Sequence, residues 1–354
     1  MWCRTIPQSR RTLAAGLLFF LAAQLAFNIV ADMRHPELYD PEYGVRLALL
    51  RARMAEMPDR PLLLLIGSSR TVMSFRPEVL GELRTADGAR VLPFNFSHLA
   101  AGPLMNLMAY DRLRRAGIRP TWLVMEVMAP NLSREPGTTP TTIASAGDLP
   151  LLDHHIHRPT LYGRYVMLRM LPWHRHRNDL VHRLAPALAT PGTITDEEDM
   201  RIGPLGGDIG WQITKDESPE FLARALAHAQ AGYAPRLQEF SVKESAIHAH
   251  RELVELCRKD GVQVVLLLTP EGTEFRSWYP PDALRQIDAW CAGMRQEYGV
   301  PVVDARTWLP DSDFMDSHHV LDRGANAFTK RLEQEVLIPL VTPTSEGSKR
   351  IAGG

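Results

Sequence analysis

Residues 61–70 read PLLLLIGSSR, an unbroken apolar run followed directly by small polar residues. Such a run, bounded by a proline and a glycine, is typical of a strand buried on both faces of a parallel sheet. Gly67 to Arg70 then predict a tight turn from this strand into a helix. Because ligands bind beyond the carboxyl ends of the strands in parallel α/β sheets, this turn is the first place to look for function.

Outward from this stretch, strands and helices alternate. We predict further strands at residues 90–96, 122–128, 262–270 and 300–305, and helices at 41–58, 77–84, 103–116, 243–259, 281–298 and 323–338. This alternation predicts an α/β fold with a parallel sheet covered on both faces. Residues 132–240 break the pattern, with helical pieces near 161–171 and 219–239, and we interpret them as an inserted cap. The predicted domain spans 61–340, and a disordered tail follows at 341–354.

The composition limits the classes of function. The 354 residues carry a formal net charge of −1, without the basic excess typical of a nucleic-acid binder. The three cysteines form no CxxC pair, which argues against a zinc or redox site. Cys3 precedes an apolar segment, whereas Cys257 and Cys291 fall in predicted amphipathic helices, where buried thiols are the usual outcome. A disulfide between Cys257 and Cys291 stays open if the domain is extracytoplasmic.

The insertion contains a histidine-rich stretch that is interleaved with arginines. Positive neighbours oppose cation binding, so we predict no metal site, and no cofactor. We interpret the stretch as solvated surface, with a basic face towards lipid headgroups or an anionic glycan as the alternative. Its members are His154, His155, His157, Arg158, His174, Arg175, His176, Arg177, His182 and Arg183.

The N-terminus predicts a membrane location. Leu13 to Ala31 form an apolar run of 19 residues, close to the roughly 20 that a spanning helix needs. Arginines before it predict that this end stays in the cytoplasm. We therefore predict a cytoplasmic tip and transmembrane anchor at 1–32, a linker helix within 33–60, and a body that is periplasmic or at the cell surface. A cleaved signal peptide is the alternative.

The two ends of the predicted domain hold residues suited to nucleophilic catalysis. Ser69 follows the first strand, where a hydroxyl is raised to the rim of the sheet. Residues 314–328, FMDSHHVLDRGANAF, contain Asp316 and His319 on a predicted turn into a helix. This spacing lets the carboxylate hold one imidazole nitrogen while the other faces the serine, whose hydroxyl needs a base at neutral pH. The less favoured alternatives are Ser68 as nucleophile, His318 as base and Asp313 as acid.

These motifs resemble those of the SGNH/GDSL hydrolase superfamily. Its first block, usually G-D-S-[LR], is similar to Gly67-Ser68-Ser69-Arg70, although Ser68 replaces an Asp that is not the triad acid. Its last block, D-x-x-H followed by a Gly-Ala pair and a Phe, is similar to Asp316, His319, Gly324, Ala325 and Phe328. The likeness covers roughly residues 60–131 and 243–340 and is strongest to membrane-anchored bacterial cell-envelope proteins. It implies a three-layer α/β/α, flavodoxin-like sheet and a Ser69–His319–Asp316 triad.

The resemblance also implies oxyanion donors beside the serine. The backbone N–H of Ser69 is one, and Ser97 or Gly102 stands at the second family block. Asn131 follows the third strand without the glycine that the family places before its Asn. Separately, residues after the first and fourth strands are candidates for lining a substrate pocket, although a structural salt bridge is the favoured role of Arg70 and loop packing the favoured role of the others. They are Arg70, Glu271, Arg276 and Trp278, the last forming with Tyr279 a stacking wall for a sugar.

Together these features predict a serine esterase or O-acyltransferase that acts on an acylated glycan or lipid of the cell envelope through an acyl-enzyme. The alternative is a non-catalytic binding or assembly protein that uses the same scaffold. A third hypothesis, in which Gly67 to Arg70 form a phosphate loop of a nucleotide-dependent enzyme, leaves Asp316 and His319 without a role. The oligomeric state is not predicted.

Overall fold

In the computed structural model of the protein, the described residues are 8–34, 38–137, 139–156, 159–170, 181, 185, 201–202, 209–210 and 217–342. By their contacts the residues divide into two units. One unit comprises Met1–Val45 and Thr138–Thr195, and the other comprises Arg46–Gly137 and Asp196–Gly354. The second unit contains the main sheet.

This sheet has five parallel strands, which confirms the predicted α/β class. Its strands form at the predicted places and lie in the order β2-β1-β3-β6-β7. Their bounds are β1 Leu62–Ile66, β2 Leu92–Asn95, β3 Trp122–Glu126, β6 Gln263–Leu268 and β7 Val302–Asp304. Two short strands, β4 Arg201–Ile202 and β5 Ile209–Gly210, form a separate antiparallel pair.

Strand β1 is buried along its whole length, as its unbroken apolar sequence predicted. Leu63 and Leu65 point towards a core that also contains Phe75 and Phe328. The alternate residues of the strand, including Leu64, point to the opposite face and are buried as well. Both faces of the sheet are therefore covered, and the carboxyl ends of the strands remain as its functional edge.

Helices occupy most of the chain between the strands. Gly299 ends one of them with φ 61°, the left-handed conformation that favours glycine. In chain order the helices are α1 Gln8–Arg34, α2 Pro41–Glu56, α3 Ser69–Ser74, α4 Pro103–Arg115, α5 Ala129–Leu132, α6 Thr139–Ile143, α7 Leu149–His155, α8 Pro159–Met170, α9 Pro219–Gln238, α10 Glu244–Lys259, α11 Thr273–Ser277, α12 Pro281–Tyr298, α13 Asp322–Leu332 and α14 Ile338–Val341. A π-helical turn, Glu333–Leu337, joins the last two.

The helix predicted at 77–84 is wrong. Only a 3₁₀ turn forms there, at Pro77–Val79. Beyond it Gly81 donates its N–H to Oε1 of Glu333 at 2.6 Å, and Arg84 pairs with Arg90 in an antiparallel bridge. These contacts give the backbone polar groups of the segment partners outside a helix. Because Pro77 and Gly81 also lower the helix propensity of the segment, no α-helix forms there.

The predicted insertion at 132–240 is divided between the two units. Its part in α6, α7 and α8 belongs to the unit that contains the N-terminal helix, whereas α9 belongs to the unit that contains the sheet. Helices near 161–171 and 219–239 are confirmed as α8 and α9. Most of the histidine-rich stretch, Cys3, and residues 343–354 of the predicted tail lie outside the described residues.

Cys257 and Cys291 are free and buried, so the disulfide considered between them does not form. Each lies on the covered side of its own helix, α10 or α12. Burial raises the pKa of each thiol to about 12, which leaves both thiols protonated and unreactive at neutral pH.

The apolar segment near the N-terminus forms a helix, α1, as predicted. From Ser9 to Arg34 it is long and apolar enough to cross a membrane. Leu13, Leu18 and Phe19 are among its exposed apolar side chains. Helix α2 then begins at Pro41, where the sequence predicted a linker helix.

Candidate active site

Ser69 is the first residue of α3, directly beyond the end of β1. Ser68 caps this helix, since its Oγ accepts a hydrogen bond from the N–H of Arg70 at 3.2 Å. Ser68 is buried, whereas Ser69 is partly exposed. The turn therefore presents one serine hydroxyl outward and uses the other to hold the backbone, which separates the predicted nucleophile from its less favoured neighbour.

The structure brings together the three predicted triad residues. Oγ of Ser69 lies 2.9 Å from Nε2 of His319. Nδ1 of the same ring lies 2.8 Å from Oδ2 of Asp316. Residues 250 positions apart in the chain thus form one hydrogen-bonded relay. This is the arrangement in which a carboxylate holds the imidazole tautomer whose free nitrogen accepts a serine proton.

A short, closed turn carries the acid and the base. Met315 donates its N–H to the carbonyl of His319 at 2.8 Å, which closes the turn at its base. Ser317 at its tip adopts φ 67°, a left-handed conformation. The loop after β6 holds this tip, because Gly272 donates its N–H to the carbonyl of Ser317 at 2.8 Å and Phe275 donates to its Oγ at 3.0 Å. The loop after β6 therefore fixes the turn that carries Asp316 and His319.

Asp316 is surrounded by donors. Its Oδ2 contacts the imidazole of His319. Its Oδ1 accepts the backbone N–H groups of His318 at 3.1 Å and His319 at 2.7 Å. Burial alone would raise the pKa of Asp316, but the hydrogen bonds from His318 and His319 outweigh it and hold the pKa well below the usual range. The carboxylate is therefore ionised at neutral pH and can stabilise a protonated imidazole.

His318, the less favoured base, occupies a different environment. Its ring packs against those of Tyr233, at 4.9 Å, and Phe275, at 5.2 Å, between ring centres. Burial lowers the pKa of His318 to about 4, so this histidine is neutral at pH 7. Its Nδ1 lies 3.1 Å from Oδ1 of Asp316. His318 thus supports the acid, and His319 is the histidine that contacts Ser69.

The oxyanion candidates separate into two groups. The backbone N–H groups of Ser69 and Gly102 have no acceptor within the part of the chain that the structure describes. Asn131 donates from Nδ2 to the carbonyl of Ala101 at 3.0 Å, which leaves its second amide proton available. Ser97 is fully buried and its N–H donates to Oδ1 of Asn95 at 3.2 Å, so of the two alternatives at the second family block Gly102 is the one with an unused N–H.

Gly102 and Asn131 line one small cavity beside the nucleophile turn. The volume open to a water-sized molecule is only about 10 Å³, and Ser68 and Glu126 form part of the cavity wall. A Cβ atom at Gly102 would lie 3.8 Å from Nδ2 of Asn131, so the two candidate donors are neighbours. Both follow the carboxyl ends of strands, which is why residues distant in sequence converge here.

Glu126 is a buried carboxylate at the candidate site to which the sequence analysis assigned no role. It is 2% exposed at the end of β3, under the nucleophile turn. Its Oε2 accepts the N–H of Ser68 and, at 2.8 Å, the hydroxyl of Thr71. Its Oε1 accepts the hydroxyls of Ser68 at 2.9 Å and Thr269 at 3.3 Å. The signal in the sequence was a single acidic residue inside the apolar run WLVMEVM.

Arg70 and Glu271, which were candidates for lining a pocket, are buried together, so the salt bridge favoured for Arg70 forms. Nη1 of Arg70 lies 2.7 Å from Oε1 of Glu271, and both side chains are 2% exposed. Tyr279 donates its hydroxyl to the same carboxylate at 2.8 Å, and the guanidinium lies 4.5 Å from the ring centre of Phe275. Burial alone would lower the pKa of Arg70, but Glu271 outweighs it and raises the pKa. The pair ties the nucleophile helix to the loop after β6.

Arg276 and Trp278 also pack within that loop. Arg276 donates from Nη1 to the carbonyls of Glu271 and, at 3.1 Å, Arg306. Trp278 is 5% exposed and its ring centre lies 4.9 Å from that of Phe275. A stacking wall for a sugar needs an open ring face, so the buried rings of Trp278 and Tyr279 fit the loop packing that the sequence favoured and not the alternative of a sugar-stacking wall. The loop positions the base instead of presenting a surface.

Asp316, His318 and His319 each offer a ligand atom within 4.8 Å of the others, a spacing that a metal ion could also use. Here one carboxylate oxygen and Nδ1 of His319 bond directly to each other, at 2.8 Å. A metal ion would have to break this hydrogen bond, so the arrangement fits a proton relay better than a metal centre.

No protein-family model matches this chain, and no curated protein matches it.

Proposed function

We propose that this chain is a serine ester hydrolase or O-acyltransferase of the SGNH/GDSL type, with Ser69 as nucleophile, His319 as general base and Asp316 as the residue that orients it. One observation carries the proposal. The relay from Ser69 through His319 to Asp316, with distances of 2.9 and 2.8 Å, lies at the carboxyl edge of a parallel sheet. A buried, ionised carboxylate behind a partly exposed histidine and serine is the arrangement that activates a hydroxyl.

The chemistry follows from these contacts. Ser69 Oγ attacks the acyl carbonyl carbon while Nε2 of His319 takes the serine proton. His319 then gives this proton to the leaving alkoxide oxygen, the ester C–O bond breaks, and the acyl group remains on Ser69. Water or an acceptor hydroxyl next attacks the acyl-enzyme and loses its proton to His319. The bond from the acyl carbon to Ser69 Oγ then breaks, and His319 returns the proton to this oxygen. Water makes the protein an esterase, and a sugar hydroxyl makes it an O-acyltransferase.

The negative charge that develops on the carbonyl oxygen needs donors. We assign the N–H groups of Ser69 and Gly102 and the free amide proton of Asn131, since all three have spare donor capacity beside the turn. Each such donor is worth about 100–1000-fold in rate in enzymes of this kind. Glu126 supports them indirectly, because it fixes the N–H of Ser68 and so the backbone before the nucleophile.

Two structural features support the family assignment. The strand order β2-β1-β3-β6-β7 is the 2-1-3-4-5 order of flavodoxin-like sheets. Gly324, from the last motif, has room only for glycine, since a Cβ there would lie 2.6 Å from the carbonyl oxygen of Asp313. Ala325 and Phe328 are fully buried, as a motif that packs the helix after the His319 turn against the sheet requires.

We further propose that α1 anchors the protein in a membrane, with the sheet-containing unit outside the cytoplasm. The length and apolar surface of α1 and the arginines before it support this placement. An extracytoplasmic enzyme encounters envelope glycans and lipids, so an acyl group on such a molecule is the proposed substrate.

The phosphate-loop hypothesis is disfavoured by Glu126. In a phosphate loop the backbone N–H groups after the strand face the anion. Here the N–H of Ser68 donates to the carboxylate of Glu126, which also takes the hydroxyls of Ser68 and Thr71. The carboxylate occupies the donors that a phosphate would need.

A fluorophosphonate probe, which labels activated serines covalently, tests the proposal. We expect the full-length protein in detergent to label, with peptide mapping that places the adduct on Ser69. Ser69→Ala abolishes labelling, whereas Ser312→Ala, at an exposed serine, leaves it unchanged. A folded protein that neither labels nor turns over an activated ester would refute the catalytic assignment and favour the non-catalytic scaffold.

A second assay separates the two acyl acceptors. An acetylated glycan is incubated with the protein, with and without an unacetylated acceptor sugar. Release of free acetate at the same rate in both reactions indicates a hydrolase. Transfer of acetyl to the sugar, with little free acetate, indicates a transferase.

A further inference from the structure

Helix α8 presents an apolar face that nothing in its own unit covers among the described residues. Val166, Met167 and Met170 are 51%, 58% and 63% exposed. The opposite side of the helix is used for packing, with Tyr165 buried. Residues 166, 167 and 170 lie on one side of a helix, so the exposed apolar atoms form a patch at its C-terminal end.

A polar clamp holds this end of α8 against α1. Arg169 makes a two-pronged ion pair with Asp32, with N–O distances of 2.8 and 2.9 Å. Its Nη1 also donates to the hydroxyl of Tyr39 at 2.7 Å, and its guanidinium lies 4.1 Å from the ring centre of that tyrosine. Nη2 donates to the carbonyl of Ala144 at 3.1 Å. The charge of Arg169 is therefore neutralised within the unit.

The clamp also fixes the position of the C-terminal end of α8 along the axis of α1. Asn28 donates from Nδ2 to the backbone carbonyl of Arg169 at 2.8 Å. At 1.5 Å per residue, Asn28 lies about 6 Å from Asp32 along the helix axis, inside the apolar stretch Leu13–Ala31. Gln24, one further turn in, is buried in the same unit. The C-terminal end of α8 thus lies beside the last apolar turns of α1.

At this level α1 exposes its own apolar side chains. Ile29, Val30 and Met33 are 49%, 51% and 73% exposed. A bilayer that covers these residues reaches the height of Met167 and Met170. The clamp gives partners to both terminal nitrogens of Arg169, to the carboxylate of Asp32 and to the amide nitrogen of Asn28, as a low-dielectric environment favours. Among the described residues, Nε of Arg169 and Oε1 of Gln24 are buried without a hydrogen bond. Tyr39 and Tyr165 are of the residue type enriched where protein leaves the bilayer.

We propose that α8 is a second membrane contact, whose Val166, Met167 and Met170 enter the boundary between phospholipid headgroups and acyl chains next to the exit of α1. The inference rests on the proposed anchoring by α1 and is independent of the catalytic assignment. The clamp between Arg169 and Asp32 couples the interfacial helix to the spanning one. The occupant of the patch is lipid, because the patch lies at the end of α8 that is held beside the last apolar turns of α1, which the proposed anchor places in lipid.

Site-directed fluorescence quenching tests this contact. Full-length protein with Cys3→Ser is reconstituted into phosphatidylethanolamine–phosphatidylglycerol vesicles, and single cysteines are labelled with bimane. Cys257 and Cys291 are buried and do not compete for the label. The label is placed at Met167→Cys or Met170→Cys, with Thr160→Cys, exposed at the other end of α8, as the matched control. Leu21→Cys, an exposed position in α1, reports the anchor separately.

We expect lipids that carry a nitroxide near the first acyl carbons to quench labels at 167 and 170 about twofold or more strongly than at 160, with the reverse order for aqueous iodide. Equal quenching at 160 and 170, while Leu21→Cys is quenched by lipid, would overturn the contact but leave the anchor. If Leu21→Cys is also unquenched by lipid, the anchor fails. Protection from both quenchers indicates cover by protein, and loss of that protection on diluting the protein in lipid identifies a second copy. Either result refutes the lipid contact.

Discussion

Asp316→Asn is the most informative change, because the structure dictates which way the new amide must face. Oδ1 of Asp316 accepts two backbone N–H groups, from His318 and His319, and a backbone N–H can only donate. The amide oxygen therefore takes this position. The NH₂ group is then placed where Oδ2 faces Nδ1 of His319, at 2.8 Å. Nδ1 must accept this hydrogen bond, so the imidazole proton moves to Nε2.

The expected consequence is a loss of rate far larger than the loss of stability. With its proton on Nε2, His319 donates to Ser69 and cannot take the serine proton. A wrong tautomer in a triad of this kind lowers the rate by about 10⁴-fold, or roughly 5–6 kcal/mol of barrier. The free energy of unfolding falls by only about 2 kcal/mol, since the amide keeps its bonds to the backbone.

The assay compares the second-order rate of fluorophosphonate labelling with the urea midpoint of unfolding. Asp313→Asn is the matched control, since Asp313 lies in the same segment and contacts Arg323 at 3.3 Å instead of the histidine. Its labelling rate should stay within about threefold of the parent, because surface ion pairs contribute little. If Asp316→Asn labels as fast as the parent protein, the relay is not what activates Ser69.

Three further changes test the surroundings of the site. Glu126→Ala leaves buried donors on Ser68 unsatisfied and should lower the free energy of unfolding by about 3–5 kcal/mol in urea titrations, whereas Glu126→Gln keeps an oxygen for the backbone N–H and should lower it by about 1–2 kcal/mol. Gly67→Ala places a Cβ 2.6 Å from Cβ of Glu126, so the turn must shift, and labelling of Ser69 should slow by about 100-fold. His250 lines the cavity that Gly102 and Asn131 share, and burial lowers its pKa from 6.5 to about 4. Because the unfolded chain takes up the proton first, the contribution of His250 to stability is complete above pH 6.5 and about 3 kcal/mol of it is lost as the pH falls towards 4; His250→Asn should flatten this part of the stability curve.

Each change has a control in the same chain. Glu135→Ala removes an exposed carboxylate whose one hydrogen-bond partner among the described residues is Ser245. Gly137→Ala adds a Cβ with no described atom within 4 Å, and His248→Asn changes a histidine that is 60% exposed on the same helix as His250. Equal destabilisation by Glu126→Gln and Glu126→Ala would contradict the hydrogen-bond argument. Full labelling of Gly67→Ala would show that the turn tolerates displacement. An acid slope that survives in His250→Asn would assign it to another group.

The sequence alone identified the parts of this molecule that depend on near neighbours. An unbroken apolar run such as residues 62–66 is a buried strand wherever it lies, and alternation with amphipathic segments makes a parallel sheet. Ser69 could be named because it follows such a strand. Asp316 and His319 could be named because their spacing closes a turn. The helix predicted at 77–84 failed because its partners, such as Glu333, lie far along the chain.

The tertiary structure alone decided which distant groups meet. Glu126 looked like an interruption of an apolar strand until the order of the strands placed it under the Ser69 turn. Arg70 and Glu271 looked like exposed polar residues of two loops, yet they neutralise each other in the interior across 201 positions of sequence. The physical reason is the same in both cases. A charged side chain is buried where a partner for its charge or hydrogen bonds meets it. In a parallel sheet this partner comes from whichever strand end lies beside it. No local sequence pattern specifies which strand end that is.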